Sequence, residues 1–136
     1  MRTTVVPPPV GPGTGYWLAA SDGGIFPFGD APGYGTLGNI VLNKPIVSIA
    51  APPDGGGYWM AASDGGVFSF GNAAFFGSSS GSSSSPVTAI TSSSSGNGYW
   101  LSTAAGNIFA FGDAPQFGSA YPDHPNASLI GMSADS

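Results

Sequence analysis

The sequence predicts an all-β fold made of a tandem repeat, and two observations support this. The tripeptide Gly-Tyr-Trp begins at Gly15, Gly57 and Gly98, so that successive tryptophans lie 42 and 41 residues apart. A fixed period of this length is typical of repeat architectures. In addition, short apolar segments alternate with Gly-rich turns, and none of them carries apolar residues at helical spacing over two turns.

Residues 1–14 are rich in proline and glycine, and we expect an extended segment there, outside the repeat domain that we assign to residues 15–136. Pro7, Pro8 and Pro9 have no amide hydrogen to donate to a neighbouring strand. This segment is therefore a poor candidate for an interior strand.

The middle repeat shows the predicted plan of each unit. Tyr58 to Ala62 is a short apolar strand, and Asp64-Gly65-Gly66 supplies the turn residues of a tight hairpin. Val67 to Phe70 forms the returning strand. After a second turn, Ala74 to Gly77 is predicted as a short third strand. The same plan gives antiparallel outer meanders at 16–35, 58–77 and 99–118.

A fourth element lies between the meanders. Residues 45–51 and 86–91 are apolar and β-branched with small residues at their ends, as expected of a crowded inner strand. Residues 128–134 repeat this pattern. Four short antiparallel strands every 41 to 42 residues are typical of a β-propeller blade, so we predict three such blades.

The predicted blades are incomplete within one chain. The first meander follows a Pro-rich segment, and the inner strand at 128–134 has no meander after it. Since a propeller has typically about four to eight blades, we expect two copies to complete each other as a six-bladed ring, or many copies to form an open filament. The residues assigned to this joint are Leu129, Ile130, Met132, Val5 and Val6. The alternative is that the chain is a fragment of a longer array.

Two stretches, Gly15–Asp30 and Gly57–Asn72, resemble a repeat of large secreted bacterial proteins, which combines Gly-Tyr-Trp, Asp-Gly-Gly and Phe-Gly-Asp-Ala. Gly98–Asp113 departs from that repeat at its turn, where Ala104-Ala105-Gly106-Asn107 stands. The order of parts is also similar to a WD-repeat blade, although the Trp-Asp dipeptide is missing. The resemblance implies an extracellular or cell-surface bacterial protein without an assigned activity.

Composition narrows the possible partners. The chain has two basic residues against seven acidic ones, a formal charge of −5. This leaves no basic patch for nucleic acid or anionic lipid, and no apolar run approaches the roughly 20 residues of a membrane span. The absence of cysteine removes disulfides and thiolate chemistry. The first residues do not form a signal peptide, so an exported protein would need one outside this sequence.

The aromatic residues that occur once per repeat are the main candidates for a ligand site. They are Tyr16, Trp17, Tyr58, Trp59, Tyr99 and Trp100. Aromatic faces can stack on sugars, but the same positions can form the core between blades, and we favour the core. Asp22 and Asp64 match no calcium loop and are interpreted as turn formers. His124 stands in no triad, so we assign no catalytic residue, metal or cofactor.

These observations predict a non-enzymatic extracellular scaffold, structural or adhesive, that binds other copies of itself. A carbohydrate-binding, lectin-like propeller that recognises cell-surface glycans is one alternative. An accessory repeat domain of a secreted cell-wall hydrolase is another.

Overall fold

A computed structural model describes residues 15–80, 85–120 and 127–135 of the chain. Within these residues the protein is all-β, with eight strands and no helix. The strands are β1 (Gly15–Ala19), β2 (Ile25–Gly29), β3 (Ile46–Ala50), β4 (Gly57–Ala62), β5 (Val67–Gly71), β6 (Val87–Ser92), β7 (Gly98–Thr103) and β8 (Ile108–Gly112). They form three antiparallel sheets, in the orders β1-β2, β3-β4-β5 and β6-β7-β8. The described part of the chain has no helix that could cross a membrane.

Each sheet belongs to one repeat unit. We define the first unit as residues 15–35, the second as 46–77 and the third as 87–118. In each unit a hairpin joins the Gly-Tyr-Trp strand to the strand that follows it. The units therefore share one plan, except that the first has no inner strand among the described residues.

The hairpin turns are stabilised by their aspartates. Asp64 accepts a hydrogen bond from the amide of Gly66 at 3.0 Å, and Asp22 accepts the equivalent bond from Gly24 at 2.9 Å. Gly65 has a φ of 93°, which glycine adopts without the steric penalty of a side chain. Both aspartates are thus placed as turn residues.

The inner strands β3 and β6 pair with β4 and β7, and each has a register shift after its first residue. Successive inner strands also lie beside one another, because the Ile90 amide donates to the Ser48 hydroxyl oxygen at 3.1 Å. These two residues lie 42 positions apart, close to the repeat period. The units are therefore stacked so that equivalent strands become neighbours.

A repeated hydrogen bond links each hairpin to the start of the next inner segment. In every case the amide of the inner segment donates to a carbonyl oxygen of the preceding hairpin. The pairs are Ile46 with Ser21 at 2.8 Å, Val87 with Ser63 at 2.9 Å, and Leu129 with Ala104 at 2.9 Å. This anchor fixes where each new unit begins relative to the last.

Two hydrophobic clusters form the core, one between the first and second sheets and one between the second and third. Strand β4 contributes to both, because alternate side chains of a strand point to opposite faces. Tyr58 and Met60 belong to the cluster shared with the first unit, and Trp59 and Ala61 belong to the cluster shared with the third. All six residues of β4 are buried.

The all-β prediction is confirmed, but the sheets have two or three strands and not the four predicted for each repeat. Residues 33–35, 74–77 and 116–118, predicted as third strands, form no strand. In the first two cases their backbone groups bond to a tyrosine of the next unit. Residues 128–134 likewise form no strand. The described residues do not close into a propeller.

Candidate functional site

The tyrosine of each Gly-Tyr-Trp strand, where a preceding unit exists, is inserted into that unit. Tyr58 is fully buried, and its hydroxyl donates to the carbonyl oxygen of Gly35 at 2.5 Å. The same hydroxyl accepts a hydrogen bond from the Tyr34 amide at 3.0 Å. Its ring stands edge-on to Trp17, with centroids 5.4 Å apart. Tyr58 therefore joins two units through its ring and its hydroxyl together.

Tyr99 repeats this contact one unit later. Its hydroxyl donates to the Gly77 carbonyl oxygen at 2.5 Å and accepts from the Phe76 amide at 3.0 Å. Its ring lies 5.1 Å from that of Trp59. Burial raises the pKa of the Tyr99 phenol above its ordinary value, so the group remains a neutral donor.

A phenylalanine of each later unit packs over the glycine that accepts the tyrosine bond. Gly35 has a φ of 140° and Gly77 a φ of 133°. A Cβ at Gly35 would lie 2.5 Å from a ring carbon of Phe70, and one at Gly77 would lie 2.7 Å from Phe111. Real Cβ atoms do not approach so closely, so these two positions are restricted to glycine by conformation and by contact.

The tryptophans hold the acceptor segments in place. Each indole N–H donates to a backbone carbonyl oxygen 15 residues further along the chain. The pairs are Trp17 with Pro32 at 2.6 Å, Trp59 with Ala74 at 2.7 Å, and Trp100 with Pro115 at 2.7 Å. Each tryptophan thus presents the segment that carries the acceptor glycine.

Four apolar side chains of the first unit are more exposed than their equivalents in the other units. We call this surface the head face and define it as Tyr16, Leu18, Phe26 and Phe28. Tyr16 is 61% exposed, whereas the equivalent Tyr58 and Tyr99 are 0% exposed. Among the described aromatic rings, that of Phe28 is its one partner, with centroids 5.4 Å apart. The head face is therefore an exposed apolar surface with no covering unit among the described residues.

The third unit carries the equivalents of the residues that receive Tyr58 and Tyr99 at the internal joints. We call this surface the tail face and define it as Trp100, Phe117 and Gly118. Phe117 is 84% exposed, and its ring lies 6.5 Å from that of Trp100. Gly118 has a φ of 128°, and within the described residues no atom lies within 4 Å of the position of a Cβ. The slot filled by a phenylalanine at Gly35 and Gly77 is open here.

The predicted joint residues Leu129, Ile130 and Met132 lie beside the third unit. The Leu129 amide makes the repeated anchor bond, and the carbonyl oxygen of Met132 accepts from the Thr91 hydroxyl at 3.3 Å. Ile130 is 87% exposed. Residues 128–134 therefore begin where an inner strand would begin, although no described strand pairs with them. Val5 and Val6, the other predicted joint residues, lie outside the described residues.

In the second and third units a carboxylate is hydrogen-bonded across the open end of the hairpin. We call each of these groups a polar clasp. Asp54 accepts bonds from Asn72 and from the Gly56 amide, both at 2.9 Å, and these bonds lower the pKa of its carboxyl group. Asp113 accepts bonds from the hydroxyls of Ser95 and Ser93, which lower its pKa in the same way. The carboxylate thus precedes the Gly-Tyr-Trp strand in the second unit and follows the hairpin in the third.

The six once-per-repeat aromatic residues found in the sequence all lie at these joints or at the exposed end. Sequence reasoning missed the acceptor glycines and the phenylalanines that cover them. The recurrence of glycine at positions 35, 77 and 118 was the available signal. No group of three potential metal-ligating side chains is found in the described parts of the chain.

Comparisons of the chain with protein families, with curated proteins and with solved structures found no match. The described residues define its class as an all-β protein of repeated small antiparallel sheets. What the chain does is therefore inferred from the geometry of its own residues.

Proposed function

We propose that this chain is a non-enzymatic structural scaffold, extracellular or on the cell surface, whose ends complete each other between copies. The observation that carries the proposal is the exposure of the head face. The equivalents of Tyr16 and Leu18 are fully buried, and those of Phe26 and Phe28 are half-buried, wherever a preceding unit covers them. Large exposed apolar patches commonly mark interaction sites. A surface used twice as an internal joint is well suited to serve as an external one.

The sheet edges support the same proposal. Strand β1 pairs with β2 alone among the described residues, whereas β4 and β7 each have two partners. Residues 128–134 have the pattern of an inner strand and begin at the anchor bond. Added to β1 of a second copy, they would complete a three-stranded sheet like the other two. Propeller-type blades joined in this way give a ring or an open filament.

The sugar-binding alternative has less support. Stacking on a sugar requires an accessible ring face, and Tyr58, Trp59 and Tyr99 are fully buried. An accessory role beside a cell-wall hydrolase stays a prediction.

The test is the molar mass of the purified chain, measured by light scattering over a wide range of concentrations. We expect species heavier than the 13.4 kDa monomer, and electron microscopy then separates rings from filaments. A mass that stays at 13.4 kDa at all concentrations would contradict the proposal.

A further inference from the structure

We propose that copies of this chain bind head to tail through one defined contact, in which Tyr16 of one copy enters the tail face of another. This inference rests on the proposed self-association. It goes beyond it by naming the two surfaces, the head-to-tail direction of the contact and the bonds between the surfaces. The two internal joints of the chain provide the template.

The first element of the contact is the tyrosine hydroxyl. At both internal joints it donates to a glycine carbonyl oxygen and accepts an amide from the residue before that glycine. The equivalent acceptor on the tail face is the Gly118 carbonyl oxygen, and the equivalent donor is the Phe117 amide. Neither backbone group, nor the Tyr16 hydroxyl, has a hydrogen-bond partner among the described residues. At each internal joint the equivalent bonds form together, and the proposed contact uses the same arrangement.

The second element is a reciprocal packing of rings over glycines. Phe28 is the equivalent of Phe70 and Phe111, which cover Gly35 and Gly77, so it fits the open slot at Gly118. In the other direction, the rings of Tyr34 and Phe76 approach to 3.0 Å the positions of a Cβ at Gly71 and Gly112. The matching ring on the tail face is Phe117, and the matching glycine of the head end is Gly29, with a φ of 67°.

The contact is necessarily directional, because its two surfaces differ. The head face supplies a tyrosine hydroxyl and a covering phenylalanine, and the tail face supplies an acceptor glycine and an open slot. Two head faces cannot satisfy one another, because neither offers the glycine acceptor. A contact between unlike surfaces is heterologous, so it propagates until a ring closes or a filament grows.

Two single substitutions test whether the contact joins a head face to a tail face. Leu18→Glu places a charge on the head face, and Phe117→Glu places a charge of the same sign on the tail face. Both side chains are more than half exposed, so the fold of each chain is expected to tolerate the change. We expect each variant alone to be monomeric. An equimolar mixture at high concentration is expected to form a 1:1 dimer, because one intact head and one intact tail remain.

Several outcomes overturn the inference while leaving self-association intact. They are a dimer formed by Phe117→Glu alone, wild-type assembly by both single variants, and a mixture that stays monomeric although the wild type associates. A wild-type chain that is itself monomeric instead contradicts the proposed function.

The role of the hydroxyl is tested separately with Tyr16→Phe. When Tyr16→Phe is added to the Phe117→Glu chain, we expect the dissociation constant of its dimer with the Leu18→Glu chain to rise roughly tenfold, since the hydrogen bonds of one buried hydroxyl are lost. The melting temperature of the monomer should not change, because Tyr16 is exposed there. An unchanged dissociation constant would show that the hydroxyl does not enter the tail face.

Discussion

The strands β4 and β1 have nearly the same sequence, Gly-Tyr-Trp-Met-Ala-Ala against Gly-Tyr-Trp-Leu-Ala, but opposite environments. All residues of β4 are buried, whereas those of β1 alternate between half-buried and exposed. The difference arises because β4 has a unit on both sides and β1 has a described unit on one side only. Burial in this repeat is therefore a property of neighbours more than of sequence, as in other stacked repeats.

Four predictions test this comparison, all measured as unfolding of the Leu18→Glu variant so that association makes no contribution. The largest effect is expected for Trp59→Ala, with Trp17→Ala as its matched control. Trp59 is fully buried, so its loss should lower the free energy of unfolding by about 3–5 kcal/mol. Trp17 is only half-buried, and the loss there should be clearly smaller. Equal losses in denaturant titrations would show that the first joint is as tightly packed as the second.

The next effect concerns the acceptor glycines. Gly77→Ala and Gly118→Ala both place a side chain at positive φ, at 133° and 128°, so they share the backbone penalty. Only Gly77→Ala also forces a Cβ against the ring of Phe111. Its free energy of unfolding should therefore fall by about 2 kcal/mol more than that of Gly118→Ala. If chemical denaturation gave the same loss for both, the close contact at Gly77 would be relieved without cost.

The third effect is that of the tyrosine hydroxyls. Tyr58→Phe leaves the Gly35 carbonyl oxygen and the Tyr34 amide without their partner, which should cost about 1.5 kcal/mol. Tyr16→Phe should change the free energy of unfolding by less than about 0.5 kcal/mol, because the residue is exposed. Thermal unfolding of Tyr58→Phe and Tyr16→Phe measures the two losses. A destabilised Tyr16→Phe monomer would mean that its hydroxyl already has a partner within the chain.

The smallest effect is a pH dependence of the clasps. The hydroxyls of Ser95 and Ser93 lower the pKa of Asp113 in the folded chain. The stability that this adds is present above the ordinary aspartate pKa of about 3.9 and is lost as the pH falls through the lower folded value. Asp113→Asn should therefore lose less stability than its parent when melting temperatures are followed from about pH 5 to pH 2.

The control for this change is Asp30→Asn in the first unit. No described residue donates a hydrogen bond to the Asp30 carboxylate, so Asp30→Asn controls for the loss of one negative charge without the loss of a clasp. An Asp113→Asn variant with the full acid-induced loss would mean that the clasp does not contribute to stability.

Much of the fold was predictable from the sequence because the repeat marks it directly. The period of the Gly-Tyr-Trp motif located β1, β4 and β7, and the Asp-Gly turns located the returning strands β2 and β5. In the third unit, where Ala105-Gly106 replaces Asp-Gly, the hairpin still forms because Thr103 provides a hydroxyl that accepts from the Asn107 amide at 3.1 Å.

The prediction of short third strands was wrong, because the conformation of these segments depends on the neighbouring unit. Residues 74–77 are apolar enough for a strand, but Phe76 and Gly77 bond to the hydroxyl of Tyr99, not to a backbone partner. The strand propensity of a segment does not predict a hydrogen bond to a side chain 22 or 23 residues away. For the same reason the sequence identified the aromatic positions of the joints but not the glycines that receive them.

The anchor bonds that the carbonyl oxygens of Ser21, Ser63 and Ala104 accept also set the order in which the units dock during synthesis. Each hairpin emerges from the ribosome before the inner segment that it holds, so every new repeat docks on a part of the chain that was synthesised earlier. A two-stranded hairpin is marginal alone, and the first unit becomes stable only when Tyr58 arrives. Docking of a second copy onto the tail face would repeat this last step of folding, with the incoming repeat delivered by another molecule.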